Sequence, residues 1–207
     1  MAVKLWRGEF LNNPKVNKRS PLSQFNLGIC YLNGYGTAAS DSKAVEWIQK
    51  AADQQLPIAE FHMGMFYEEG RAVKASVQEA IHWYDRAAKQ NFSNAQVNLG
   101  LLNKHESKGN NAALEMAVDY FRQAADQNNG YGQLNLALMH YEGSGTKQSF
   151  DEAYKYFKMA AENGLAGAQL NLGVLYLKGE GKSASETEAK SGSKWQPIKA
   201  MTMRSMF

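Results

Sequence analysis

The chain has 207 residues, 44% of them hydrophobic and 11% aromatic, with a net charge of +3 and a single cysteine. That composition can bury a core, yet no apolar run approaches the ~18 residues of a membrane-crossing helix, and one thiol cannot build an internal disulfide framework. Residues 1–181 carry 18 basic and 18 acidic side chains, so the body lacks the clustered basic face that nucleic acid requires; the excess of positive charge lies from Lys182 onward.

Met1 to Phe10 carries Trp6, Arg7 and Glu9 where a secretory leader needs a long apolar centre. As written, the chain is therefore expected in the cytoplasm; a start left by cleavage of a leader would place it in the periplasm or outside the cell. Ala2-Val3-Lys4-Leu5-Trp6 reads like Ala80-Ile81-His82-Trp83-Tyr84 further on, which predicts a partial helix over 2–10. Asn12-Asn13-Pro14 ends it, since proline cannot continue a helix interior. Residues 1–21 thus read as a partial helix and a loop.

A repeat begins with Ser23-Gln24-Phe25-Asn26-Leu27-Gly28. It returns as Ala59-Glu60-Phe61-His62-Met63-Gly64, Ala95-Gln96-Val97-Asn98-Leu99-Gly100, Gly132-Gln133-Leu134-Asn135-Leu136-Ala137 and Ala168-Gln169-Leu170-Asn171-Leu172-Gly173, at steps of 36, 36, 37 and 36. The pairs Ala51-Ala52, Ala87-Ala88, Ala124-Ala125 and Ala160-Ala161 keep the same step. So do Ala44, Ala80, Ala117 and Ala153, each followed three residues later by Trp47, Trp83, Tyr120 or Tyr156. Three anchors on one period define a single elongated array over 22–182. Its repeats lie near 23–58, 59–94, 95–131 and 132–167, with a half-repeat at 168–182. Ser191-Gly192-Ser193 and Pro197 break the pattern, so 183–207 is predicted to be an irregular basic tail.

Each repeat is predicted to hold two helices, which makes the fold all-α. The first, about 22–33 in repeat one and 167–178 in the half-repeat, is apolar on most of its circumference and must be sandwiched between neighbours. Gly28, Gly64, Gly100 and Gly173 inside it cost about 0.5–1 kcal/mol each relative to alanine, and close approach to the Ala-Ala pairs is the expected compensation. Gly34-Tyr35-Gly36, Gly143-Ser144-Gly145 and Gly179-Glu180-Gly181 read as helix stops, with Gly70-Arg71-Ala72 a partial copy. The second helices are predicted at about 41–53, 76–89, 111–126 and 149–162, capped by residues such as Ser40 and Ser149. Repeat three departs: Lys104-His105-Glu106-Ser107-Lys108-Gly109-Asn110-Asn111 replaces the glycine pair.

A-x-x-N-L-G-x-x-Y, then G-x-G, then K-A-x-x-W and A-A at this step resembles the Sel-one-like repeat family, relatives of the tetratricopeptide repeats. Residues 23–181 carry the likeness, most closely at Lys43-Ala44-Val45-Glu46-Trp47 and from Ala168 to Tyr176. The resemblance implies a right-handed α-solenoid of antiparallel helix pairs, here about four full repeats of 36–37 residues with partial repeats at both ends. It implies a non-catalytic scaffold or adaptor that binds another protein or peptide on its concave face, in a bacterial envelope, secretion or signalling setting. Cysteine-rich members of the family pin each repeat with a disulfide and are linked to penicillin binding. A β-lactam-binding or hydrolysing enzyme is therefore the alternative, and lone Cys30 departs from it.

No catalytic or cofactor constellation emerges. His62, His82, His105 and His140 form no His-Glu-x-x-His or close pair that would bind zinc. Cys30 lies on an apolar helix, where a core thiol is expected. The Gly-x-Gly pairs lack the third glycine, the preceding strand and the lysine of a phosphate loop. What remains is a surface, because equivalent residues of successive repeats stack in columns. Asn26, His62, Asn98, Asn135 and Asn171 form one; Cys30, Phe66, Leu102, Met139 and Leu175 the next; Asn33, Glu69, His105, Glu142 and Lys178 a third. The candidate partner-binding set is Asn26, His62, Phe66, Asn98, Leu102, His105, Asn135, Met139, Asn171 and Leu175. Two readings stand: an apolar row flanked by amides suits a bound peptide or helix, while the same amides could tie neighbouring repeats together and the apolar row could be core. Uncapped ends of the array would also present apolar surface for self-association.

Overall fold

The computed structural model describes residues 19–181. The partial helix expected at 2–10 and the tail expected at 183–207 lie outside the described residues. Among the described residues the secondary structure is helical, without strands: α1 (Pro21–Asn33), α2 (Asp41–Asp53), α3 (Pro57–Glu69), α4 (Val77–Lys89), α5 (Ser93–Glu106), α6 (Asn111–Asp126), α7 (Gly130–Glu142), α8 (Phe150–Glu162) and α9 (Ala166–Lys178). The chain divides into two compact units, Met1–Glu106 and Ser107–Phe207, so that α1 to α5 form one group and α6 to α9 the other.

Local signals set the boundaries. The hydroxyls of Ser40, Ser76 and Ser149 accept the backbone N–H of Lys43, Glu79 and Glu152, and Asn110 and Asn129 do the same service for α6 and α7. Gly34, Gly70, Gly143 and Gly179 close α1, α3, α7 and α9 in the left-handed region, at φ 69°, 66°, 68° and 65°. Repeat three has no such stop. There α5 runs on for 14 residues to Glu106, and the turn uses Lys108 and Gly109 at positive φ.

In two of the pairs the second glycine has a separate task. Gly145, at φ 65°, presses on the backbone of Leu114 in α6, so a Cβ there would overlap it. Gly181 lies likewise against Phe150 and Tyr154 of α8. In repeat two the place is held by Ala72 at φ 58°, a conformation that costs a residue with a Cβ roughly 1 kcal/mol.

Gly28 and Gly64 inside the first helices do not meet the Ala-Ala pairs, contrary to expectation. A Cβ on Gly28 would overlap Ile48, and one on Gly64 would overlap Tyr84. Each of these two glycines is a hole for a large side chain from the second helix of its own repeat. Ile48 and Tyr84 are fully buried; Phe121 and Phe157 occupy the equivalent position in the second unit and are buried as deeply. The Ala pairs serve the following step instead, since Ala124 and Ala125 close directly onto Gly132 at the start of α7. The core of the first unit gathers Phe25, Ile48, Met63, Phe66 and Trp83. That of α7 to α9 gathers Ala137, Tyr154, Phe157, Leu172 and Leu175. Lys50, Arg86 and Lys155 place their charges over Trp47, Trp83 and Tyr156, at 4.4, 4.5 and 4.8 Å from the ring centroids.

Two opposite substitutions test the second-glycine position. Gly145→Ala should cost about 2 kcal/mol or more, because it adds left-handed strain and backbone overlap together. Ala72→Gly should instead stabilise by about 0.5–1 kcal/mol, the relieved strain being offset in part by a freer unfolded chain. Urea midpoints check both, and equal shifts of one sign would refute the account.

Candidate functional site

Each first helix keeps one strip open. Along α3 it runs Ile58, His62, Met65 and Glu69, of which the first three are half-buried and the last exposed. The spacing of four, three and four residues holds these positions within an arc of about 60° at 100° per residue. The same offsets give Leu22, Asn26, Ile29 and Asn33 on α1, and Asn94, Asn98, Leu101 and His105 on α5. In the second unit they give Tyr131, Asn135, Leu138 and Glu142 on α7, and Gly167, Asn171, Val174 and Lys178 on α9.

The candidate residues divide on this geometry. Asn26, His62, Asn98, Asn135 and Asn171 are half-buried on the strip and His105 is exposed on it. Phe66, Met139 and Leu175 are buried, as is Cys30, and Leu102 is half-buried. That column lies one residue further round, where it packs the cores. At the third place of the strip the residues are apolar, Ile29, Met65 and Leu101 in the first unit and Leu138 and Val174 in the second, and Leu22, Ile58 and Tyr131 stand at its first place.

The amide column is partly engaged within the fold. Asn135 and Asn171 donate to the carbonyls of Tyr131 and Gly167 one turn back, each at 2.9 Å. Asn98 hydrogen-bonds the hydroxyl of Tyr84, which itself donates to Glu68 at 2.5 Å. Burial, and next Glu68, pushes that phenol far above its ordinary value. His62 sits against Phe25 and Phe61, with ring centroids 5.1 and 5.9 Å away. Desolvation lowers its pKa, so the imidazole is neutral at neutral pH. Burial likewise raises the thiol of Cys30, away from the thiolate form that a nucleophile needs. Among the described residues no three His, Cys, Asp or Glu side chains are grouped to hold a metal ion, and no helix is long and apolar enough to cross a membrane.

A second polar column escaped the sequence reading. Gln24, Glu60, Gln96 and Gln133 are buried inside the first helices. Gln24 accepts from Gln54 at 2.6 Å, Glu60 from Gln90 at 2.7 Å, and Gln133 from Asn163 at 2.9 Å, so the end of the second helix is clasped to the start of the first. Repeat two differs in carrying a charge. Glu60, 1% exposed, pairs with Arg86 at 2.8 Å, and Arg86 also donates to the Ala52 carbonyl of the preceding repeat at 3.0 Å. The signal was present: the second residue of the hexapeptide, like the fourth, is polar in all five copies, inside a helix that is apolar on most of its circumference.

A family model described as Sel1 repeat matches residues 21–56, 57–92, 93–129, 130–165 and 166–191. Among solved structures, the chain is similar to a Sel1 repeat protein from Oxalobacter formigenes, at 31% identity and a TM-score of 0.71 over 83% of this chain and 70% of that one. It is also similar to c5321, described as a protective antigen present in uropathogenic Escherichia coli strains displaying an SLR fold. The identity there is 28% and the TM-score 0.72 over 84% of this chain, which spans only 40% of that protein's chain. No curated protein matches it.

The half-buried imidazole of His62 sets a pH dependence. The folded pKa of His62 lies below the ordinary value near 6.5, so the unfolded chain takes up the proton first. Stability is full above about pH 6.5 and falls as the pH drops through that value toward the lower folded pKa. His140, stacked on Tyr156 and also lowered mainly by burial, adds a change of the same sign. His62→Gln should therefore remove part of the Tm loss between about pH 7.5 and pH 5, and an unchanged slope would contradict the assignment. The charged clasp gives a separate test. Arg86→Met alone should cost about 3 kcal/mol by stranding the Glu60 carboxylate, whereas Glu60→Gln with Arg86→Met should recover most of it. Equal losses in the single and double variants, read from denaturant midpoints, would show that the pair does not act as one.

Proposed function

Because the chain belongs to the Sel1 repeat family, we propose that it is a non-catalytic scaffold that holds a segment of a partner protein along the open strips of its first helices. Sel1 repeats typically mediate protein interactions, and the composition of the strips supports that use here. In the first unit the half-buried or exposed apolar residues Ile29, Met65 and Leu101 lie between a row of amides and imidazole (Asn26, His62, Asn98) and a polar outer row (Asn33, Glu69, His105). In the second unit Leu138 and Val174 lie between Asn135 and Asn171 on one side and Glu142 and Lys178 on the other. A central apolar row with a polar rim is the anatomy of a peptide groove, and amides beside it can pair with a partner's backbone. The row Ile29, Met65 and Leu101 is the observation that carries the reading.

The buried candidates Phe66, Met139 and Leu175 enter it from behind, as the packing that fixes the strip. The similar solved structures are bacterial proteins, which supports a bacterial setting for the partner.

The reading is tested with the full chain immobilised against an extract of its source organism. A captured protein should be lost when Met65→Glu is introduced on the strip, with affinity reduced by at least about tenfold. It should be retained by Ile81→Glu, since Ile81 is an exposed apolar residue on the second helix α4. Equal capture by both variants, each folded by circular dichroism, would defeat the proposal.

A further inference from the structure

In the first unit the middle of the open strip is polar, and apolar residues stand on both sides of it. The second place holds Asn26 on α1, His62 on α3 and Asn98 on α5. At roughly 1.5 Å of rise per residue, Leu22 and Ile58 lie about 6 Å to one side along the helix axes, and Ile29, Met65 and Leu101 about 4.5 Å to the other. Leu22 is 58% exposed and Leu101 43%. The three helices adjoin in order: the His62 ring touches Phe25 of α1, and the Tyr84 hydroxyl joins Glu68 of α3 to Asn98 of α5. The polar row is used differently in the two units. Asn135 and Asn171 of the second unit donate to their own helices. Among the described residues, nothing hydrogen-bonds Asn26 or the ring nitrogens of His62; Phe25 and Phe61 fix the imidazole by ring contact alone. Because the Tyr84 hydroxyl gives its proton to Glu68, Asn98 meets it as a donor and its amide oxygen stays open.

We infer that the first unit takes its partner as an extended segment, whose backbone runs over Asn26, His62 and Asn98 while alternate side chains reach the two apolar rows. It rests on the partner-binding strips proposed above and adds the form that the bound segment takes. An amide offers donors and an acceptor, and a neutral imidazole offers one of each, which is the complement of a peptide group. An extended chain leaves its peptide groups open, and its successive side chains point to opposite sides. Apolar rows on both sides of a polar line match that alternation. A helix in the same place would bring backbone groups already paired with one another, and would lay its apolar stripe on the polar row. Packed helices lie roughly 8–10 Å apart and an extended chain rises roughly 3.3 Å per residue, so a segment crossing α1, α3 and α5 makes contact over about six residues.

The probe is a displayed library of random peptides about fifteen residues long, with room for about four helical turns, selected against the full chain. Recovered ligands should carry apolar residues at alternate positions. N-methylation of backbone amides in the contacted stretch should weaken them by at least about tenfold. Asn26→Leu with His62→Phe keeps bulk at both places, removes the pairing groups and makes the strip more apolar. It too should weaken these ligands by at least about tenfold. The N-methyl series leaves the protein untouched, so it decides the matter should the double variant not fold. Ligands with apolar residues at helical spacing, indifference to N-methylation, or tighter binding by the double variant would overturn the extended form. If Met65→Glu still abolished binding in that case, the strip would stand as the binding surface. Ligands indifferent to Met65→Glu, or a library that yields none, would defeat the strip together with the extended form.

Discussion

A helix that is apolar around most of its circumference has no stable place beside water, and every first helix of this chain is of that kind. Its cover comes from a hole and a plug. The glycine in α1 or α3 admits Ile48 or Tyr84, and the surrounding side chains close over it. The magnitudes favour the exchange. A glycine within a helix costs about 0.5–1 kcal/mol relative to alanine, whereas burying a large apolar side chain stabilises by about 1.5–3 kcal/mol. In the second unit the same logic appears one step later, where Gly132 admits the backbone at Ala124 and Ala125. A missing methyl group thus fixes how closely each helix approaches the next.

That cover also determines what is left open. Once the second helices and the adjoining repeats have closed over a first helix, a strip about 60° wide remains. Its residues are held from behind by the buried row that includes Phe66, Met139 and Leu175. The strip carries amides, imidazoles, a few apolar side chains and charges of both signs. Two groups that could do covalent work, the Cys30 thiol and the His62 imidazole, are held in uncharged forms. Cys30 is buried with a raised pKa, and His62 is held neutral between aromatic rings.

Much of the fold was legible because the anchors recur at one step and the capping chemistry is local. The expected second helices at 41–53 and 111–126 agree with α2 and α6, and those at 76–89 and 149–162 differ from α4 and α8 by one residue. Serine and asparagine caps and left-handed glycines act within a few residues, so the sequence displays them directly. The face of the first helix was harder to read. Positions seven and eight of the repeat are both apolar in α3, Met65 and Phe66, and they differ by 100° around the axis. The period alone does not say which one a neighbour covers; only the placement of the second helices decides that. The buried column of Gln24, Glu60, Gln96 and Gln133 was missed for a related reason. What a polar residue on a covered helix arc binds is not visible locally, because the partners Gln54, Gln90 and Asn163 lie 30 residues away.

The clasp in repeat two has a bearing on how such arrays change over generations. Tandem copies of similar sequence invite unequal recombination, and uniform repeats would survive a swap of one unit for another. Glu60 and Arg86 make this array uneven, because they sit on different helices, 26 residues apart, and Arg86 also reaches back to Ala52. A crossover between them into repeat three or four would put Gln123 or Met159 in the place of Arg86 and leave the carboxylate sealed in the interior with no counter-charge. The repeats are therefore ordered members of a series, and shuffling them is constrained by one ion pair.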